Sequence, residues 1–245
     1  MKNIRIIFTI CLLSFSFMGF SSEKDTEGNV QSEIKTNLNS VLPEGISVLS
    51  IQKSHIEGYL EVLFDGLEPL YVTEDGKYLI SGDFFQITSN GIINKSELQR
   101  NYLRKTSLDE IDESEFITFE PKYLKHKIYV FTDVDCGYCR QFHREIDDYL
   151  ALGIQVNYLA FPRTGLDSES FNKITSAWCS KDPNQALTLL KLGDYVEQNI
   201  CKENPVEKHF RLGGNFGVSG TPSIITSEGK MVPGYVSAQD LIGLL

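Results

Sequence analysis

The segment Cys136-Gly137-Tyr138-Cys139 narrows the choice of folds more than any other part of this chain. It follows the apolar run at residues 128–131 and opens a stretch of helix-favouring composition. Two thiols with two residues between them can close a small, strained disulfide. At a helix N-terminus the first is favoured as a thiolate, because unpaired N–H groups and the macrodipole stabilise negative charge there. A thiolate attacks disulfides and a thiol barely does. Strand, CxxC and helix in that order therefore point to thiol–disulfide exchange.

The cysteine count agrees. Residues 1–21 read as a signal peptide: Lys2 and Arg5 form a basic start, residues 6–20 are largely apolar, and Gly19-Phe20-Ser21 offers small residues at the −3 and −1 positions. The apolar run is short for a membrane span, which needs about 20 residues, and no later segment reaches that length. Cleavage removes Cys11, whose preceding Phe8-Thr9-Ile10 does not suit lipid attachment, and leaves four of the five cysteines. If Cys136 and Cys139 are redox-active, Cys179 and Cys201 have only each other to bond. An exported chain with an even cysteine count fits an oxidising compartment. Losing Lys2 and Arg5 takes the formal charge from −10 to −12. An acidic chain without basic clusters argues against nucleic acid or anionic membrane surfaces as partners.

Periodicity divides the remainder. Val30, Ile34, Leu38 and Val41 recur at helical spacing, and this helix stops before Pro43. Residues 46–51, 58–64, 70–73 and 77–81 read as short strands, with Asp65-Gly66 and Glu74-Asp75-Gly76 as turns. The result is a small, mostly antiparallel α+β module over residues 22–92. It buries little surface for its size, and its strand edges are natural pairing sites, so a homodimer is expected. Residues 94–111 read as a polar linker helix, with Leu98, Tyr102 and Leu103 as sparse apolar positions, inside a linker and hinge at 93–120 that ends at Glu120-Pro121. From 121 to 245 the pattern turns α/β. A strand at 128–131, a helix from 136 to about 152 and a strand at 154–161 are followed by a largely helical stretch, 168–211, broken by Pro183 and Pro205. A hairpin (223–226 and 230–232) and a helix from Ser237 close the chain.

A CxxC also suits half of a zinc site or a purely structural disulfide. Zinc needs a second ligand pair. Neither Cys179 nor Cys201 has a cysteine or histidine at metal-motif spacing, and His55, His126, His143 and His209 are scattered, reading as surface or core residues. No metal and no cofactor are expected. Ser219-Gly220-Thr221-Pro222-Ser223, just before the last hairpin, favours exchange. In a thioredoxin-like topology the proline at this point is usually cis. Having no N–H to donate, it sets a backbone edge beside the nucleophilic sulfur, where an extended substrate pairs with Thr221 by β-augmentation.

Here the chain resembles the bacterial periplasmic protein-disulfide isomerases of the DsbC/DsbG type, over nearly all of the sequence after the leader. His55-Ile56-Glu57-Gly58-Tyr59-Leu60-Glu61-Val62 and Tyr71-Val72-Thr73-Glu74-Asp75-Gly76-Lys77-Tyr78-Leu79-Ile80-Ser81-Gly82-Asp83 carry the likeness in the first module. Val130-Phe131-Thr132-Asp133 leading into the CxxC, Ala177-Trp178-Cys179 and Gly220-Thr221-Pro222 carry it in the second. The Gly-Tyr dipeptide and the Cys179/Cys201 pair are more similar to the DsbC branch. The resemblance implies an N-terminal cystatin-like dimerisation domain, a linker helix and a thioredoxin-like domain with a helical insertion. It implies a V-shaped homodimer whose two sites face one cleft, in the periplasm. It also implies misoxidised exported proteins as substrates and a membrane thiol reductase as electron donor.

The expected roles follow. Cys136 attacks a wrong disulfide, Cys139 resolves the mixed disulfide if rearrangement stalls, Thr221 and Pro222 hold the substrate backbone, and Tyr138 tunes exposure. Cys179–Cys201 reads as a structural bond in preference to a second redox pair, and Trp178 as a core residue of the insertion. Asp135 departs from the family, which more often has an uncharged residue before the first cysteine, and is expected to make Cys136 less acidic. A net oxidant, a reductase for a dedicated client and a holdase chaperone with secondary redox activity use the same motifs. The N-terminal module argues against an oxidant, which needs no dimer.

Overall fold

The computed structural model describes residues 23–42, 47–64 and 69–245. The expected signal peptide and the Asp65-Gly66 turn lie outside them. Helix α1 (Glu23–Val41) lays Ile34 and Leu38 on an antiparallel sheet ordered β1 (Val48–Lys53), β2 (Tyr59–Phe64), β3 (Pro69–Thr73) and β4 (Leu79–Ser81). Val48, Leu60, Val62, Phe64 and Val72 complete this core, while Val30 and Val41 at the ends of the helical stripe are exposed. A second hairpin, absent from the sequence reading, follows: β5 (Phe85–Thr88) and β6 (Gly91–Asn94). Asn90-Gly91 at its turn is a hairpin signal in its own right. Its apolar side chains face outward, Ile87 85% and Ile92 71% exposed.

Helix α2 (Lys95–Asp109) begins where the Asn94 side chain accepts the Glu97 amide at 2.9 Å. Its anchors differ from those the apolar pattern suggested. Leu98 and Tyr102 are exposed, whereas Arg104 and Leu108 are buried. Arg104 donates to the Phe216 carbonyl oxygen at 3.2 and 3.3 Å and to Glu97 at 2.8 Å, and Leu108 joins a core with Tyr129, Phe131 and Phe216. At the other end Arg100 pairs with Asp83 at 2.7 Å, and Ser96 shares a 3.1 Å hydrogen bond with Tyr71. Counting apolar residues misses a helix held by guanidinium groups. Gly229, at φ 81°, marks its close fit: a Cβ there would lie 1.8 Å from the Asn101 carbonyl oxygen.

The C-terminal sheet runs β11 (Met231–Pro233), β10 (Ser223–Thr226), β8 (His126–Thr132), β9 (Ile154–Ala160), β7 (Ile117–Phe119). Strand β7 lies inside the segment expected as linker and pairs antiparallel with β9; three residues are too few for a period to show. Strands β8 and β9 are parallel and joined through α3 (Gly137–Arg144) and α4 (Ile146–Ala151), two helices where one was expected. Along β8, Ile128 and Val130 enter one core and Tyr129 and Phe131 the other, so both faces of the sheet are covered. Helices α5 (Glu169–Trp178), α6 (Pro183–Leu192) and α7 (Val206–Asn215) form the insertion, and α8 (Ala238–Leu241) ends the chain. The helical stretch is interrupted ahead of Pro183 and Pro205 as expected, and Pro183 itself opens α6, in the first turn where its missing N–H costs nothing.

Candidate active site

The end of β8 and the start of α3 bring the expected exchange residues together. Cys136 is the N-cap of α3, and its Sγ accepts the Cys139 amide at 3.5 Å. Facing it, the Thr221 carbonyl oxygen accepts from the Cys136 thiol at 3.1 Å. The Thr221–Pro222 peptide is cis, and the Pro222 carbonyl accepts the Gly234 amide at 2.8 Å, which ties the loop to the end of the last hairpin. Both thiols are free and buried, Cys136 3% and Cys139 1% exposed, whereas Tyr138 between them is 64% exposed.

The two sulfurs are pushed in opposite directions. Hydrogen bonding from the Cys139 thiol is the chief reason that Cys136 falls to about 5; burial opposes it, and contacts with Thr221, the Cys139 amide and the Arg163 charge assist. Burial, followed by the neighbouring Cys136 sulfur, drives Cys139 far above the ordinary thiol value. The outer sulfur is thus a thiolate at neutral pH and the inner one a proton-holding thiol. A thiolate beside a proton-holding thiol is an arrangement chemically able to attack a disulfide.

Asp133, quoted in the sequence only as part of a family motif, builds the floor of this site with Ser170, Arg163 and Lys191, which the sequence reading did not single out. Asp133 is buried at the exit of β8, and both of its oxygens are engaged. Oδ1 accepts from Ser170 at 2.7 Å and from the Asp135 amide at 2.8 Å, and Oδ2 from the Arg163 amide and Nε at 2.9 and 3.0 Å. Burial works against its charge, but these hydrogen bonds prevail and hold it below the usual carboxylate range. Beside it the buried Lys191 donates to Thr132 Oγ1 at 2.6 Å and to the Asp133 carbonyl at 2.9 Å. A carboxylate directly after a buried apolar run, and a lysine four residues after Leu187 on an apolar helix face, are the signals that a search for buried charge would have found. Asp135, expected to oppose the thiolate, turns instead to Arg140 and Lys173, each 3.4 Å away. Those two cations offset its field.

Cys179 and Cys201 are bonded to each other, with Cα atoms 5.6 Å apart. Trp178 packs against the main core and donates from Nε1 to the Glu115 carbonyl at 2.7 Å. His143 is a buried core residue between Tyr158 and Thr188, each at 3.0 Å, and burial brings it down to about 4. His209 is likewise enclosed, against Phe116 and Trp178.

Residues 22–96 match the disulfide bond isomerase protein N-terminal domain, and residues 113–245 match a thioredoxin-like domain. The chain is 40% identical over 202 residues to the thiol:disulfide interchange protein DsbC of Salmonella typhimurium, covering 82% of each. The chain belongs to the DsbC family. To the DsbC of Dickeya dadantii it is 34% identical over 245 residues, all of this chain and 95% of the relative. A solved disulfide interchange protein from Neisseria gonorrhoeae, 28% identical, aligns over 55% of this chain and 95% of its own at a TM-score of 0.49. Membership in the DsbC family makes this protein a thiol–disulfide exchange enzyme with a thioredoxin-like catalytic domain. No helix among the described residues is long and apolar enough to cross a membrane.

Proposed function

We propose that Cys136 is the nucleophile of a protein-disulfide isomerase and Cys139 its resolving thiol, acting on misoxidised exported proteins in the periplasm. The observation that carries this reading is the Cys136 sulfur at a helix N-terminus, 3.1 Å from the Thr221 carbonyl at the cis proline. The Cys136 thiolate attacks a wrong disulfide and forms a mixed disulfide. The released substrate thiolate attacks another of its own disulfides, and a later attack on the mixed disulfide frees Cys136, so no electrons flow in net. When rearrangement stalls, Cys139 attacks Cys136 and the substrate leaves reduced. Thr221 and Pro222 present a backbone edge to an extended substrate chain, and the exposed Tyr138 ring offers it an apolar contact. Cys179–Cys201 is structural. A membrane thiol reductase returns Cys136 and Cys139 to the dithiol form.

The first module makes the enzyme a homodimer. Leu79, Ile80, Phe85, Ile87, Ile92 and Ile93 are exposed apolar side chains on β4 and the β5–β6 hairpin, an unpaired edge of the kind that a second copy covers. Two sites in one particle suit reshuffling, in which a client must be held through several exchanges.

Refolding of a scrambled disulfide-containing client by the chain from residue 22 onward tests the reading, with its mass in solution measured alongside. Recovery of native pairings by a dimer, lost on Cys136→Ala while suppression of client aggregation survives, is the expected result. Oxidation without reshuffling, or full activity as a monomer, overturns the isomerase assignment in favour of an oxidant or a dedicated reductase.

A further inference from the structure

One charge in the floor of the site has no assigned work. Lys191, on α6, is 1% exposed, and among the described residues no carboxylate lies within ion-pair distance of its Nζ. The nearest acid in the sequence of contacts, Asp133, meets it through a backbone carbonyl, while its carboxylate oxygens serve Ser170, Arg163 and the Asp135 amide. A buried ammonium with no direct ion-pair partner is costly and calls for an explanation. Its position supplies one. The Asp133 carbonyl that receives Lys191 also receives the Cys136 amide at 3.3 Å, so the ammonium is fixed under the turn that carries both cysteines. The titratable and charged groups facing it are Cys136, Cys139, Arg140 and His143 from α3 and Asp133 from the end of β8.

We propose that Lys191 is a positioning residue for the resolving step, its fixed ammonium steadying the negative charge on Cys139 as that sulfur attacks Cys136. The proposal rests on the roles assigned to the two cysteines above. In this step the Cys139 thiol gives its proton to water, and the Cys139 sulfur bonds to Cys136 as the bond from Cys136 to the substrate sulfur breaks. The electron pair of that bond leaves on the substrate sulfur, which takes a proton from water. The substrate sulfur is reduced and Cys139 is oxidised, while Cys136 passes from one disulfide to another; Lys191 stays protonated throughout. Burial pulls the lysine down to about 8, with the Cys139 charge the first of the influences acting to retain its proton. The help therefore fades as the pH rises past 8.

Stopped-flow reaction of the reduced protein with a thionitrobenzoate disulfide separates the two thiols. The first release of thionitrobenzoate reports attack by Cys136, the second resolution by Cys139. An opposite charge nearby lowers a thiol's pKa by about one to three units, and the nucleophilicity lost in return offsets roughly half of that gain. Lys191→Met is thus expected to slow the second release by about three- to thirtyfold at pH 7 and to leave the first within about twofold. The deficit shrinks above pH 8, and Lys191→Arg restores part of the rate. A second phase in Lys191→Met equal to wild type at pH 7 overturns the proposal. So does a uniform slowing at every pH, the mark of a merely structural role. The wild-type profile is a further reading independent of how the variant folds: the second phase should bend near pH 8, and an unbroken climb to pH 10 overturns the proposal. Absence of a first phase in the wild type would instead fail the assignment of Cys136.

Discussion

Cys136 and Cys179 occupy opposite ends of two helices, and the contrast supports the different roles proposed for the free pair and the bonded pair. Cys136 is the N-cap of α3, where amide hydrogens converge on its sulfur. Cys179 is the C-cap of α5, where the helix presents carbonyl oxygens and the negative end of its dipole. A thiolate is favoured in the first place and opposed in the second. The surroundings differ as well. Around Cys136 the chain is densely anchored by Asp133, Arg163 and Lys191. Cys201 belongs to residues 193–205, which contain no helix or strand and expose Tyr195. That segment is fastened by the disulfide, by Asn199 donating to Ser176 and the Cys179 carbonyl at 3.0 and 2.7 Å, and by the Cys201 amide donating to Cys179 Sγ at 3.0 Å.

The largest effect expected from this contrast is in the pH dependence of alkylation. Cys136 should react with iodoacetamide with half-maximal rate near pH 5, against about 8.5 for an ordinary cysteine. A lowered pKa means that the thiolate is present above that midpoint, so reactivity is flat near neutrality and falls about tenfold per unit below pH 5. Cys139, raised by burial, stays unmodified across the same range. Because hydrogen bonding from Cys139 is the first cause of the low value, Cys139→Ala should move the midpoint upward; an unmoved midpoint would refute that cause. Mass mapping of the alkylated peptides assigns each cysteine.

The second effect is on stability. Replacing Cys179 and Cys201 together by alanine should cost about 3 kcal/mol, the chain-entropy value for a loop of this size, seen as a fall in melting temperature of roughly 10 °C. The pH profile of Cys136 should not change. A double variant that keeps its melting temperature but loses isomerisation would make the pair a redox partner of the site and erase the contrast.

How much of this was legible in the sequence depends on the kind of force involved. The order of elements, the CxxC at a helix start and the Thr-Pro before the hairpin were readable, because turn chemistry and apolar periodicity are local. Strand β7 was hidden by its shortness, and the β5–β6 hairpin by exposed apolar side chains that follow no inward-outward alternation. Arg104, Asp133 and Lys191 were hidden for another reason: a charge in a sequence reads as surface until the fold supplies its partners. Asp135 shows how partners across the surface temper an expectation drawn from the chain. It was weighed by its distance along the chain from Cys136, whereas its field is decided by Arg140 and Lys173 across the surface.

Asp135→Asn isolates that last term, and it is the smallest. The carboxylate is partly exposed, shared between two cations at 3.4 Å, and screened by solvent and salt. Removing it takes one negative charge from beside the thiolate and releases Arg140 and Lys173, both changes that favour ionised Cys136. The midpoint of the Cys136 alkylation profile should therefore fall, but by less than about half a unit. At low ionic strength the shift should widen, because only solvent-exposed charge is involved. A fall of a full unit or more would mean that Arg140 and Lys173 do not neutralise Asp135, restoring to it the control over acidity that its place in the sequence suggested. A rise would mean that Asp135 supports the thiolate by holding the turn, so that its ion pairs with Arg140 and Lys173 outweigh its own charge.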